Sequence, residues 1–421
     1  MNATRTQSAP ASAPGTTATA VVTGLGVAAP NGCGIEDYWR ATLRGESGIG
    51  RITRFDPSGY PCRLAGEVSG FDPAAHIPGR LMPQTDHMTR LALAATGWAL
   101  ADAGADPAAL EEFGMSVVTA NAFGGFEFGH RELEKLWSRG GKHVSAYQSF
   151  AWFYAVNTGQ ISIRHGMRGP SGVLVSEQAG GLDAAGQARR HIRKGTPFVV
   201  TGGVDGALSP WGWVAYLSGG QVSTGEDPAR AYLPFDTGAA GWVPGEGGAI
   251  IIVEEEAAAR ARGAAQIYGE IAGYSSGIDP APHTGRPPAL PRVVRQALAD
   301  AGLEPGDIGV VFADAAGLPE LDAAEAAAIT EVFGPRAVPV TAPKTMVGRL
   351  ASGGSALDTA TAFLALRDQV IPPTVHVTDP AGPAAHLDLV LAARETPLTS
   401  ALVLARGTGG FTAALVLRTA G

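Results

Sequence analysis

VLVSEQAGGLDAAGQARRHIRKG, residues 173 to 195, is the stretch from which the rest of the chain is read. An apolar run over Val173 to Ser176 leads into Glu177-Gln178-Ala179, then the pair Gly180-Gly181, then an amphipathic stretch to Arg193. The pattern predicts a strand feeding a helix through a tight turn. At such a turn, free backbone N–H groups and the positive end of the helix dipole stabilise a thiolate or an oxyanion, so enzymes expose nucleophiles there. Here the turn residue is Gln178, whose carboxamide has no ionisable group and cannot carry an acyl ester or thioester. From spacing alone, the segment is either an elbow without its nucleophile or an ordinary helix start that never held chemistry.

Working outward, short apolar runs alternate with alanine-rich helical stretches. Ala20 to Val27, Ser116 to Ala120, Phe198 to Gly202 and Ala249 to Glu254 read as strands, Thr89 to Ala103 and Gly181 to Arg193 as helices. The alternation predicts an α/β protein whose strands are buried on both faces. The second half repeats it: Ile308 to Phe312 and Ala401 to Ala405 as strands, Arg292 to Ala301, Ala323 to Phe333 and Ser355 to Arg367 as helices. Gly245-Glu246-Gly247-Gly248 and Gly407-Thr408-Gly409-Gly410, each read as a turn before an apolar strand, occupy corresponding places in the two halves. A weak internal duplication follows, with halves 20–262 and 263–421.

Composition narrows the function. The chain has 421 residues, 45% hydrophobic and 17% charged, enough for a large core. A net charge of -8 argues against binding along nucleic acid. Two cysteines, Cys33 and Cys62, cannot build a disulfide framework, and the nine histidines lack ligand spacing, so no metal is expected. Both cysteines read as small buried or half-buried thiols. Residues 1–19 are rich in Ala, Ser, Thr and Pro without an apolar core, and predict a disordered leader. No run reaches the roughly 18 apolar residues that span a bilayer, so a cytoplasmic protein is expected, without a membrane partner.

The whole chain resembles the β-ketoacyl synthases, and most closely the chain length factor (ketosynthase-beta) branch of bacterial aromatic polyketide synthases. The resemblance runs from VVTGLGVAAPNGCG (21–34) through RFDPSGYPCRLAGEV (54–68), MSVVTANAFGGFEFGHRELEKLW (115–137), FAWFYAVNTGQISIRHGMRGP (150–170) and the SEQAGG elbow. It continues in YLPFDTGAAGWVPGEGGAIIIVEE (232–255), FADAAGLPELDAAEAAAI (312–329), APKTMVGRLASGGSALD (342–358) and ARGTGGF (405–411). It implies a thiolase-like fold, two pseudo-symmetric α/β halves layered as αβαβα.

Active members carry a Cys-His-His triad. The resemblance puts Gln178 at the cysteine, Asp314 at the first histidine and Arg349 at the second, with the loop lysine retained as Lys344. Condensation needs a thiolate to hold the chain and neutral imidazoles to polarise a malonyl thioester as an enolate forms. An Asp314 anion beside that enolate is unfavourable in a low-dielectric pocket, and Arg349 is placed to pair with it. The resemblance therefore implies a condensation-inactive subunit that binds no cofactor itself. Its expected partners are a cysteine-bearing ketosynthase-alpha, a phosphopantetheinyl acyl carrier protein and the growing polyketide.

The chain-length tunnel is matched by Phe126, Gly129 and Leu133, which share one helix face, and by Phe150. Without the resemblance, plain core packing is the better reading of Phe126 and Leu133. Glycine within a helix costs roughly 1 kcal/mol relative to alanine, so Gly129 points to a close approach or to open space. If it deepens the tunnel, the product is longer than an octaketide. Thr408 matches a gating-loop position, or is a simple turn residue. The run Arg189 to Lys194 reads as a charged helix C-terminus or as an attraction for an acidic carrier protein. Two further functions stay open: a malonyl decarboxylase that uses the Gln178 amide, and a homodimeric binding protein on an inactive fold.

Overall fold

The computed structural model describes residues 18–420. All but the last two residues of the expected leader lie outside that range. The strands of the first half are β1 (Ala20–Ala29), β2 (Met115–Ala120), β3 (Gly172–Leu174), β4 (Phe198–Asp205) and β5 (Gly247–Glu255). Those of the second are β6 (Gly269–Ile278), β7 (Val310–Phe312), β8 (Pro339–Thr341), β9 (Ser400–Gly407) and β10 (Phe411–Arg418). Five helices matter: α1 (His87–Asp102), α2 (Phe126–Arg139), α3 (Gly180–Arg193), α4 (Leu290–Ala301) and α5 (Ser352–Asp368).

The duplication is explicit in the topology. The first half orders its strands β1-β5-β4-β2-β3, and the second orders them β6-β10-β9-β7-β8. In each, the first two pairings are antiparallel and the last two parallel. The halves join where Val21 and Val22 of β1 pair with Glu270 and Gly269 of β6.

Helices α3 and α5 lie between the two halves: α5 packs on β4 and β5 as well as β9, and α3 on β2 and β4 as well as β6. α1 covers β1 and β5 from outside, and α4 covers β6 and β10. The result is the αβαβα layering. α5 is buried from Ser352 through Leu366, which its mostly small and apolar sequence permits on every face, its one charge there, Asp358, being paired with Lys344. The outer helices sit close because a side chain is missing beneath them. A Cβ on Gly24 would collide with the Ala99 carbonyl of α1, and one on Gly273 with the Ala297 carbonyl of α4.

One expectation changes. Gly247 and Gly248 do not form a turn: they open β5, where Gly248 pairs with Ala28 and Gly247 with Asp205. Gly407 to Gly410 does form the turn between β9 and β10. The basic run at the end of α3 divides between interior and surface. Arg189 is buried, its Nη1 2.5 Å from Asp300 Oδ2, and only Arg190, Arg193 and Lys194 reach solvent.

Candidate functional site

β3 ends at Leu174, and the chain turns through Glu177–Ala179 into α3 at Gly180. Glu177 takes φ 50°, a left-handed conformation that costs a non-glycine residue about 1 kcal/mol or more. Both ends of the turn are pinned. Ser352 Oγ donates to Glu177 O at 2.9 Å, Ser355 Oγ donates to Gln178 O at 2.6 Å, and Thr408 N donates to Glu177 Oε2 at 2.8 Å. Gln178 is buried, with its Oε1 against Gly354 in the first turn of α5. The amide therefore sits between the N-termini of the two central helices.

Asp314 follows β7, and Arg349 follows the loop after β8. Arg349 Nη2 donates to Asp314 Oδ1 at 3.1 Å and Oδ2 at 3.2 Å, and Nη1 donates to Asp314 O at 3.0 Å. Lys344 Nζ donates to Ala313 O at 2.7 Å and Asp314 O at 3.0 Å, and lies 2.8 Å from Asp358 Oδ2 on α5. Burial disfavours the Asp314 charge, but Arg349, then Lys344 and Arg406, outweigh it and hold the carboxyl below its usual range. Burial likewise opposes the Arg349 charge, and Asp314 reverses this. The pair is thus ionised, buried and locked. Ala315, next to Asp314, and Ala351, two residues after Arg349, also have positive φ, 50° and 47°. Strained backbone flanks all three positions of the expected triad.

Glu325, which sequence reasoning missed, supports the loop from below. Its carboxylate accepts from Asp314 N at 2.7 Å and Ala315 N at 2.8 Å. Burial, then the charge of Asp314, push it up to about 7. A cavity of about 230 Å³ opens over the group, lined by Glu177, Asp314, Arg349, Arg406 and Thr408. No imidazole lines it. Cys33 is half-buried, and burial pushes its thiol up to about 11, so it offers no thiolate; Cys62 is buried.

The tunnel candidates divide. Phe126 stacks on Trp211 with ring centroids 4.5 Å apart. Leu133 lines a groove of about 340 Å³ with His130, Glu134, Trp137 and Trp211. Gly129 is buried, and a Cβ there would stand 3.3 Å from the Trp211 ring and 3.5 Å from Trp152 Cβ. The glycine therefore serves a close approach, not open space: Trp211 takes the room. Phe150 packs edge-on against Tyr147, with centroids 5.9 Å apart. Trp211 carried no signal in the sequence beyond an aromatic next to a proline. Its neighbours are exposed: Trp137 is 80% accessible and Trp152 47%.

Comparison with known proteins bears on this geometry. The model of the beta-ketoacyl synthase N-terminal domain matches residues 18–259, and that of the C-terminal domain residues 268–378. The chain is 62% identical over 400 residues to the actinorhodin polyketide putative beta-ketoacyl synthase 2 of Streptomyces coelicolor, covering 94% of this chain and 98% of that one. It is 61% identical, with the same coverage, to the tetracenomycin polyketide synthase ketoacyl synthase beta subunit of Streptomyces glaucescens. Among solved structures, the ishigamide ketosynthase/chain length factor superposes with a TM-score of 0.87 at 28% identity, covering 96% of this chain and 100% of that one. A type II PKS acyl-carrier protein in complex with its ketosynthase bound to the hexaketide gives 0.85 at 25% identity, with the same coverage. With glutamine at the elbow, a locked Asp–Arg pair behind it and relatives of this identity, the chain belongs to the beta-ketoacyl synthase family, on its ketosynthase-beta, or chain length factor, branch.

Proposed function

We propose that this chain is the non-condensing subunit of a cytoplasmic type II polyketide synthase. It pairs with a cysteine-bearing ketosynthase-alpha, which exchanges acyl groups with a phosphopantetheinyl acyl carrier protein, and it shapes the tunnel that limits extension. Gln178, Asp314 and Arg349 stand in place of the Cys-His-His triad, and Lys344 is the retained loop lysine. The observation that carries the reading is the buried Asp314–Arg349 ion pair, which lines one cavity with Glu177 of the elbow. An anion locked to a cation neither donates nor polarises as a neutral imidazole does, and the amide holds no acyl chain. The exposed aromatic surface around Trp137, Trp152 and Trp211 supports burial against a partner.

Phe126, Gly129 and Leu133 form this subunit's share of the tunnel wall, with Trp211 as the movable backing behind Gly129 and Phe150 further along. Thr408 replaces a gating side chain over a site that no longer closes on a thioester. Leu133 on the groove, where an aromatic would narrow it, favours a product longer than an octaketide, while the room at Gly129 is taken by Trp211. The test is co-purification with a cysteine-bearing ketosynthase, followed by intact-mass analysis during turnover with malonyl carrier protein. Acyl mass on the partner alone supports the reading. Acyl mass on this chain, carbon dioxide release by this chain alone, or a partner-independent homodimer overturns it.

A further inference from the structure

Helix α2 has no cap of its own, since Gly125 precedes it and offers no side chain. The open N–H of Phe128 donates instead to Asp86 Oδ2 at 2.7 Å. The other oxygen of that carboxylate, Oδ1, accepts from Met88 N at 2.9 Å and caps α1. One buried carboxylate thus serves two helix N-termini, where its charge also complements both dipoles.

A second connection starts one residue earlier. Glu127, in the first turn of α2, pairs with Arg54. Arg54 Nη1 lies 2.6 Å from Glu246 Oε2, and His87 Nε2 lies 3.3 Å from Glu246 Oε1. His87 is covalently joined to Asp86, so the contacts close a ring: α2, Arg54, Glu246, His87, Asp86 and back to α2. Glu246 is buried, accepts from Val68 N at 3.1 Å and immediately precedes β5. The ring therefore ties the start of α2 both to the central sheet and to α1.

Gly129 lies within one turn of this anchor, where any side chain would press on Trp211 and Trp152. A helix moves as a rigid rod, so a change of tilt at its first turn is carried to Gly129 and Leu133. We propose that this charged ring, with Asp86 and Arg54 as positioning residues, sets the tilt of α2 and through it the fidelity of chain length. The proposal rests on the reading of α2 as tunnel wall. Neither Asp86 nor Arg54 lines the groove around Trp211.

The test uses the reconstituted heterodimer with malonyl carrier protein, reading the distribution of product lengths by mass spectrometry. Arg54→Gln, Arg54→Lys and Asp86→Asn are compared with a direct wall change, Gly129→Thr with Leu133→Phe. Arg54→Gln is expected to change the ratio of native-length to off-length product by roughly threefold, as for residues coupled through one network. Heterodimer yield and malonyl consumption stay constant, and Arg54→Lys, which keeps the charge, restores most of the ratio. A native distribution in Arg54→Gln and Asp86→Asn while the wall change shifts it overturns the ring and leaves the wall reading standing. An unchanged distribution in the wall variant overturns the wall reading, and the ring with it. Should Asp86→Asn fail to fold, Arg54→Gln, at a partly exposed side chain, decides.

Discussion

The Arg349 guanidinium meets the Asp314 carboxylate at both oxygens, 3.1 Å and 3.2 Å from Nη2, with both side chains buried in the wall of the cavity. In such a pair, attraction offsets a desolvation cost that each charge alone would bear in full. Backbone acceptors complete the arrangement, since Nη2 also donates to Arg406 O at 3.1 Å. The site is filled by a built structure, not merely emptied of catalytic groups.

Breaking that pair is expected to be costly. Arg349→Met leaves Asp314 buried without its main partner, a loss of about 3–5 kcal/mol. Denaturant unfolding of the purified heterodimer measures it. Asp314→Leu combined with Arg349→Met is expected to recover a large part of the loss, because neither charge is then stranded.

Glu325 gives a pH dependence of defined sign. Its folded value, about 7, lies above the ordinary 4.5, so the folded chain binds more protons between those values than the unfolded chain. Its contribution is therefore full below about pH 4.5, falls as pH rises through 7, and is flat beyond. Asp322 and Asp205, both pushed up to about 6 by burial, act in the same direction. The unfolding free energy of Glu325→Gln relative to wild type, taken from pH 5 to 8, is expected to rise with pH, because only the wild type loses this contribution. A difference that stays constant would show that Glu325 does not titrate in this window.

Gly129→Ala separates packing from helix propensity. Alanine favours the helix by about 1 kcal/mol, and the new methyl pushes on a Trp211 ring that is 42% exposed and has room to give. Stability is expected to change by less than about 1 kcal/mol, while product length shifts toward shorter chains. Thermal unfolding and product analysis on the same sample check both halves.

Gln178→Cys alone is not expected to restore condensation. A thiol at the N-terminus of α3 gains its dipole, but Asp314 and Arg349 still occupy the positions that polarise a malonyl thioester. With the partner ketosynthase disabled at its own cysteine, the complex should form no carbon–carbon bond from malonyl carrier protein. Product above the level of the unmodified chain would refute the role assigned to those two positions.

Much of this was legible without coordinates. The strand-turn-helix at Gln178 and the alternation of elements follow from local patterns of burial and turn residues, which act over a few positions; the matching strand order of the two halves was not legible, since pairing joins distant segments. The pairing of Asp314 with Arg349 was legible only through a resemblance that supplied the geometry. One expectation failed for a physical reason. Gly247 and Gly248 read as a turn because glycine favours turns, yet here their bare backbones fit against Gly203 and Ala28 inside a sheet. Arg189 stands in the charged end of its helix, and which group receives it, Asp300 and the Ala272 carbonyl in the interior, only the fold shows.

By itself, the order of amino acids determined that strands alternate with helices and that an amide stands at the turn into a helix, because residue type and short-range periodicity settle both; the two like halves and the missing nucleophile were read through the resemblance. Only the tertiary structure decided that Trp211 backs Gly129, that Glu325 holds the Asp314 loop, and that Asp86 caps two helices. Those contacts join residues 11 to 82 positions apart, and nothing in local sequence records which distant side chain arrives in a given gap.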